Sequence, residues 1–311
     1  MKRAKKLIIL PAVLMIAAAI SLFIFTPYPA VWIVKRLFSM THYSVAKNYE
    51  SMQDKVLIKR NINYKSLYPD GLLDLILPKT DKKDKIIFWV HGGGYIGDDK
   101  KKVEPYMIML AANGYPVISI NYALAPKYRY PAQIKQIEEA WTFIKGFFND
   151  EKVYFGGDSA GAQLTAQFVN IQTNPQYAKD VNETFADIKI NRVIDASRIG
   201  GVILFCGPYN LKEFLHPKKD TMKLPYKQIG WAYFGTRNIN DKKIEYSNII
   251  NRVDADYPPV FITDGNTHSF EHQAKELEIS LKAKGVYVKS VFYSKDEALL
   301  QHEYQFNMDT S

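Results

Sequence analysis

The sequence predicts an α/β fold, with a mostly parallel central sheet, helices on both faces and room for a small lid. Three observations point to it. Short, continuously apolar runs recur along the chain and stop at glycine, proline or polar turns, as strands buried on both faces do. Segments with helical apolar spacing alternate with these runs. The chain has 311 residues, 47% of them apolar, which is enough for one large domain after a hydrophobic N-terminal stretch is set aside.

In chain order, residues 56–62 and 72–77 read as early strands, antiparallel to each other. Residues 86–90 form an apolar run that ends at a glycine cluster. A helix is expected over 103–112, a strand over 116–120 and a helix over 134–148. Residues 153–155 make a short strand ahead of Gly156 and Gly157, and 160–171 are helical. Residues 201–205, 260–263 and 286–292 complete the strands. Stretches 173–199 and 211–253 are long for simple connections and are expected to be lid or substrate-wall insertions. Tyr226, Trp231, Tyr233 and Phe234 enrich the second in aromatic rings, whose competing role is to cover the core.

Residues 7–25 are uncharged, and Lys2, Arg3, Lys5 and Lys6 precede them. As a helix this run would span roughly 28 Å, close to the hydrocarbon thickness of a bilayer. The basic leader favours retention on the cytoplasmic side. The expected organisation is a basic leader and transmembrane signal-anchor over 1–25, a juxtamembrane or lid segment over 26–50, and a catalytic domain over 51–311. The catalytic domain then lies outside the cell membrane, or is secreted if the segment is cleaved. Tyr28 and Trp32 suit a membrane interface, and the same stretch also suits a lid helix.

The formal charge is +9, and the leader supplies much of it. The mixed-sign runs 81–85 and 98–102 read as solvated loops, and no nucleic-acid motif accompanies them. Cys206 is the one cysteine, so no internal disulfide forms and no Cys/His zinc spacing exists. It lies in the apolar run 201–206 and reads as a buried structural thiol.

Gly157-Asp158-Ser159-Ala160-Gly161 matches G-x-S-x-G between a strand and a helix. This spacing places a serine on a sharp, strained turn, with small residues two before and two after so that strand and helix can approach. The helix that starts at Ala160 turns its positive end toward the site. His91-Gly92-Gly93-Gly94 follows the 86–90 strand. Glycines let backbone N–H groups converge on a developing oxyanion, so Gly93, Gly94 and Ala160 are assigned to an oxyanion hole. A phosphate loop would need a following G-K-[ST], which is absent. His91 is expected to be a structural hydrogen-bonder.

These two blocks, together with Asn121-Tyr122-Ala123-Leu124-Ala125-Pro126 and the following Pro131, resemble the hormone-sensitive-lipase-like family of α/β-hydrolases. The resemblance runs from about Lys85 to the C-terminus and is strongest over 86–164. It implies a cofactor-free esterase acting on short or medium acyl esters, with a small-molecule ester as its partner.

In this fold the catalytic histidine follows the nucleophile and the acid. His302, beyond the last strand, falls where the family places its base. The acid departs from the family pattern, because His268 stands at the family's aspartate position. Asp264 and Glu271 are the nearby carboxylates. Asp264 is preferred because it sits at a strand's carboxyl edge, and Ser269 reads as a helix cap. His268 to His272 also reads H-x-x-E-H, an inverted zinc-protease pattern. The overall expectation is a membrane-anchored serine carboxylesterase that needs no metal or nucleotide. The rivals are a serine peptidase or acyltransferase of the same fold, and a non-catalytic binding or adhesion protein.

Overall fold

The computed structural model describes residues 2–149, 151–185, 187–217 and 223–309. Helices α1 (Lys2–Phe25), α2 (Tyr28–Phe38) and α3 (Tyr49–Gln53) lead the chain. Then follow β1 (Val56–Asn63), β2 (Leu72–Pro78), β3 (Lys85–Val90), α4 (Glu104–Ala112), β4 (Val117–Ile120), α5 (Ala132–Ile144), β5 (Lys152–Asp158) and α6 (Ala160–Thr173). The first long connection holds α7 (Pro175–Thr184) before β6 (Ile199–Phe205). The second holds α8 (Lys212–Leu215), α9 (Lys223–Phe234) and α10 (Lys242–Tyr246) before β7 (Val260–Thr263). Helix α11 (Glu271–Ala283) and β8 (Val288–Val291) complete the order.

The eight strands form one sheet in the order β1-β2-β4-β3-β5-β6-β7-β8. Strand β2 pairs antiparallel with β1 and β4, and every later pairing is parallel. This is the expected α/β-hydrolase architecture. The expected helix over 134–148 ends earlier, because residues Lys145–Phe147 tighten into a 3₁₀ turn.

Strand β3 is buried along its length after Lys85 because helices cover both faces of the sheet. On one face Phe88 packs against Phe155 at 5.2 Å and Trp141 at 6.2 Å between ring centres. On the other, Trp89 meets Phe205 at 5.2 Å and Phe306 at 6.4 Å. Truncating one such ring to alanine costs roughly 3–5 kcal/mol.

Helix α6 is buried over its whole length, so its polar residues need partners, and the two insertions supply them. Gln172 bonds Asn191 O at 3.0 Å and Val193 N at 2.7 Å. Asn170 donates to Arg252 O at 3.0 Å, and Gln167 reaches Tyr177 OH at 2.9 Å. The insertions are therefore fastened to the helix behind the site. Among the described residues, 211–253 contributes to the wall of the site cavity and 173–199 does not. Its rings divide accordingly: Tyr233 and Phe234 are buried in the core, while Tyr226 faces the cavity.

A buried ion pair anchors the loop that follows the glycine cluster. Lys100 Nζ lies 3.2 Å from Asp74 Oδ1 on β2 and bonds Asn61 Oδ1 at 2.8 Å. Cys206 is buried, as its apolar run predicts.

Helix α2 packs on α9. It buries Val31 and Val34 and exposes Tyr28, Trp32 and Leu37. Among the described residues no single helix is long and apolar enough to cross a membrane. The segments Val13–Phe25 and Tyr28–Phe38, bent by 82°, meet that test of length and composition together.

Candidate active site

The site lies at the carboxyl ends of the parallel strands, where α/β sheets gather their ligands. Ser159 sits between β5 and α6 with φ 48° and ψ −120°, a strained conformation for a residue with a side chain. Its N–H is held by Phe205 O at 2.7 Å. Strand and helix meet so closely that a Cβ on Gly157 would lie 2.5 Å from Gly161 C, and one on Gly161 would lie 2.0 Å from Val90 O on the neighbouring β3. The small residues of the G-x-S-x-G pattern are therefore steric requirements here.

Gly93 and Gly94 adopt φ values of 101° and 58° and line one cavity with Ser159 and Ala160. Among the described residues, none of the three N–H groups at 93, 94 and 160 donates to a backbone or side-chain acceptor, so all three are available to an anionic oxygen. His91 is buried and stacks on Tyr122 at 4.4 Å. Its Nδ1 lies 2.7 Å from Gly92 O, and burial pushes its pKa down. It thus shapes the glycine loop, as expected.

His302 Nε2 stands 2.9 Å from Ser159 Oγ. The loop carrying His302 is held against the end of β7 by the Gly265-Asn266 turn. Thr267 N donates to Leu300 O at 3.0 Å and Asn266 Oδ1 accepts from Leu300 N at 3.1 Å. A side chain at Gly265 would meet Gln301 O at 2.2 Å.

Among the described residues, no carboxylate touches the far side of the imidazole. His302 Nδ1 meets Ser269 Oγ at 2.7 Å, and Ser269 Oγ donates to Asp264 Oδ1. An ionised Asp264 can only accept, so the single hydroxyl proton of Ser269 points toward it. The oxygen of Ser269 then accepts from Nδ1–H, which leaves Nε2 unprotonated and facing Ser159. With Asp264 ionised, the hydroxyl between it and His302 thus favours the tautomer whose Nε2 accepts from Ser159.

Two sequence expectations change here. Ser269 does not cap α11: the N-cap is Phe270, with no side-chain cap bond. Asp264, preferred from the sequence as the group that orients the base, does not contact His302 directly: Ser269 stands between them. Glu271 instead pairs with Lys275 at 2.8 Å. The H-x-x-E-H pattern is not assembled. His268 is an exposed loop residue with φ 51°, and His272 meets Glu213 at 2.8 Å.

Burial pushes Asp264 up to about 7, against the lowering effect of hydrogen bonds from Ser269, Cys206 and the Gly265 and Phe270 backbone. Burial also holds His302 below the ordinary imidazole value, with Glu303 acting in the opposite direction. One grouping of potential metal ligands occurs among the described residues: donor atoms of Cys206, Asp264 and His302 lie within 4.8 Å of one another. Burial keeps that thiol protonated and Ser269 already bonds both other members, so the grouping is a hydrogen-bonded network.

Beneath the elbow lies a feature that the sequence reading did not assign. Asp158 accepts from Trp89 Nε1 at 2.7 Å and Gly92 N at 2.8 Å. Burial and the neighbouring Glu303 raise its pKa well above the carboxylate range. Glu303 accepts from Tyr43 OH and lies 3.8 Å from His302 Nε2. A tyrosine ahead of β1 is thus tied to the residue next to the base.

The site opens into a cavity of about 310 Å³, walled by Phe38 of α2, Tyr226 and Ile229 of α9, and Phe270. Phe270 meets the His302 ring edge-on at 5.5 Å.

Comparison with known proteins accords with this geometry. Esterase B from Lactobacillus Rhamnosis (HN001) superposes with a TM-score of 0.73 at 20% identity, covering 90% of this chain and 89% of that one. The same esterase inhibited by a tributyrin phosphonate gives 0.68 at 21% identity, with 90% and 89% covered. An esterase from the bacterial hormone-sensitive lipase family gives 0.60 at 16% identity, with 90% of each chain covered. These likenesses establish the α/β-hydrolase fold and match the family resemblance read from the motifs. The BD-FAE family model matches residues 73–280, which take in the glycine loop, Ser159, Asp264 and Ser269 and amount to well over half of the chain. The chain therefore belongs to the BD-FAE family.

Proposed function

We propose that this protein is a serine ester hydrolase working through a covalent acyl-enzyme. The observation that carries this reading is the unbroken chain Ser159–His302–Ser269–Asp264, which opens on a cavity beside three available N–H groups. Ser159 Oγ attacks the ester carbonyl as Nε2 of His302 takes its proton. The carbonyl electrons move onto the oxygen, which Gly93, Gly94 and Ala160 N–H groups receive. Collapse expels the alcohol, to which Nε2 returns the proton. Water then repeats the sequence and releases the acid. Asp264, acting through Ser269, stabilises the transient imidazolium. The missing family aspartate, which favoured a non-catalytic binding protein, is thus replaced by this bridged acid.

The phosphonate-inhibited neighbour supports the choice of an ester substrate. The 310 Å³ cavity by itself suits a short or medium acyl group. We further propose that the N-terminal segment anchors the protein with its hydrolase domain outside the cell membrane, on the strength of the basic leader before residues 7–25.

Fluorophosphonate labelling and a p-nitrophenyl ester series test the chemistry. Ser159→Ala should abolish both labelling and turnover, a loss on the order of 10⁶ in kcat, and near-normal activity in the folded variant would end the serine mechanism. Protease treatment of intact cells should remove the domain, and full protection would contradict the topology.

A further inference from the structure

A second and larger cavity, about 830 Å³, lies between the N-terminal helices and the 211–253 insertion. Ile16, Ile20 and Ile24 of α1, Ile33 of α2 and Leu224 of α9 line it. Val34 and Pro225 belong to the walls of both cavities. We propose that this outer cavity takes the distal part of a long acyl chain whose ester lies at Ser159, so that the substrates include ester lipids drawn from the bilayer. The inference rests on the ester-hydrolase reading and extends it to substrate class.

Three observations favour an acyl chain as the occupant. The lining is mostly apolar, with His216, Lys227, Gln228 and Arg237 as its polar members, and a void of this size among such side chains is well suited to a flexible hydrocarbon. Val34 and Pro225 belong to the walls of both voids, so the outer one lies next to the inner space that a longer chain would outgrow. Its walls are built by α1, which is uncharged from Leu7 to Phe25, and by α2, whose outer face exposes Tyr28, Trp32 and Leu37. Amphipathic aromatic side chains of this kind settle at the lipid headgroup level, which puts the outer cavity beside the acyl chains it would accept. Arg237 strengthens the wall: its guanidinium donates to Ile24 O at 2.8 Å and stacks on Trp231 at 3.5 Å, joining α1 to the domain.

The test uses the full chain in detergent or lipid nanodiscs with p-nitrophenyl esters from butyrate to palmitate. Wild type should hydrolyse laurate and palmitate with kcat/KM at least equal to that for butyrate. Ile20→Trp and Ile33→Trp, made separately, should fill the outer cavity only. Each buried methylene contributes roughly a fourfold factor, so excluding three or four from a partly open site should lower kcat/KM for palmitate by on the order of 10- to 100-fold. Butyrate hydrolysis should change less than about twofold, because its acyl group ends within the inner cavity; this also verifies folding. A wild-type profile that decays to background beyond octanoate would overturn the proposal, as would tryptophan variants that leave the chain-length profile unchanged. Absence of turnover for every ester, together with no fluorophosphonate labelling, would instead strike at the hydrolase reading itself.

Discussion

Replacing Ser269 by alanine removes one hydroxyl and breaks two hydrogen bonds. His302 Nδ1 loses its partner at 2.7 Å, and Asp264 loses the donor that connects it to the base. A hydrogen bond involving an ionised group contributes about 1.5–3 kcal/mol, and 1.36 kcal/mol corresponds to a factor of ten in rate. The expected loss in kcat is therefore about 10- to 150-fold, with KM little changed. The pH profile gives a second, sharper readout. When Asp264 is protonated it donates to Ser269, whose own proton then turns toward Nδ1 and forces the other tautomer on the imidazole. Wild-type kcat/KM should consequently fall with an acid limb near 7, the value to which burial pushes Asp264. In Ser269→Ala the limb should move below 6.5, because burial holds His302 beneath that value. Initial rates on p-nitrophenyl butyrate across the neutral range measure both effects, and Ser269→Thr should restore much of the activity. Wild-type kcat with an unmoved acid limb in Ser269→Ala would refute the relay.

The same carboxyl governs part of the stability. Its folded value of about 7 lies above the ordinary 3.8, so the folded state holds this proton more tightly. That stabilisation is complete below the lower value and disappears as pH rises to the upper one, a change of up to about 4 kcal/mol. Asp264→Asn should flatten the urea-unfolding profile across that window; profiles parallel to wild type would show an ordinary carboxylate. Gly161→Ala forces a Cβ to 2.0 Å from Val90 O and should prevent accumulation of folded protein, so a soluble variant with native circular dichroism would contradict the packed elbow. Lys100→Met strands Asp74 without its buried partner and should cost about 3–5 kcal/mol in chemical denaturation, whereas a loss below about 1 kcal/mol would place the pair in solvent. Chelators should leave wild-type ester hydrolysis unchanged, and a sensitive enzyme would return attention to the Cys206, Asp264 and His302 grouping.

The strands were legible because burial on both faces leaves continuous apolar runs, such as residues 86–90, and the elbow because its steric needs restrict residues in a short window. Ser269 was harder to read. Its role depends on a contact with His302 across 33 positions of sequence, and local reading gave it the commoner task of capping α11. The placement of Asp264 near the base had a visible signal: it directly follows an apolar strand, and Gly265 and Asn266 can turn the chain back. The tie between Tyr43 and Glu303 had none, since it joins residues 260 apart and neither lies in a patterned segment. The role of α2 was ambiguous for a physical reason, because one face meets the domain while the other exposes aromatic and aliphatic side chains.

The stitching of the two chain ends bears on how this protein is handled. Beyond the Tyr43 bond, Ser44 Oγ donates to Asp309 at 2.5 Å and Met308 N donates to Ser44 O at 3.2 Å. A version that begins between α1 and α2 keeps this seam and the Phe38 wall of the catalytic cavity. One cut just before β1 removes both, leaving Glu303 without its phenolic donor beside the base and the pocket open on one side. Two recombinant forms of the same hydrolase, differing by about thirty N-terminal residues, would then disagree in activity, and a purified catalytic core would misrepresent the enzyme as weak.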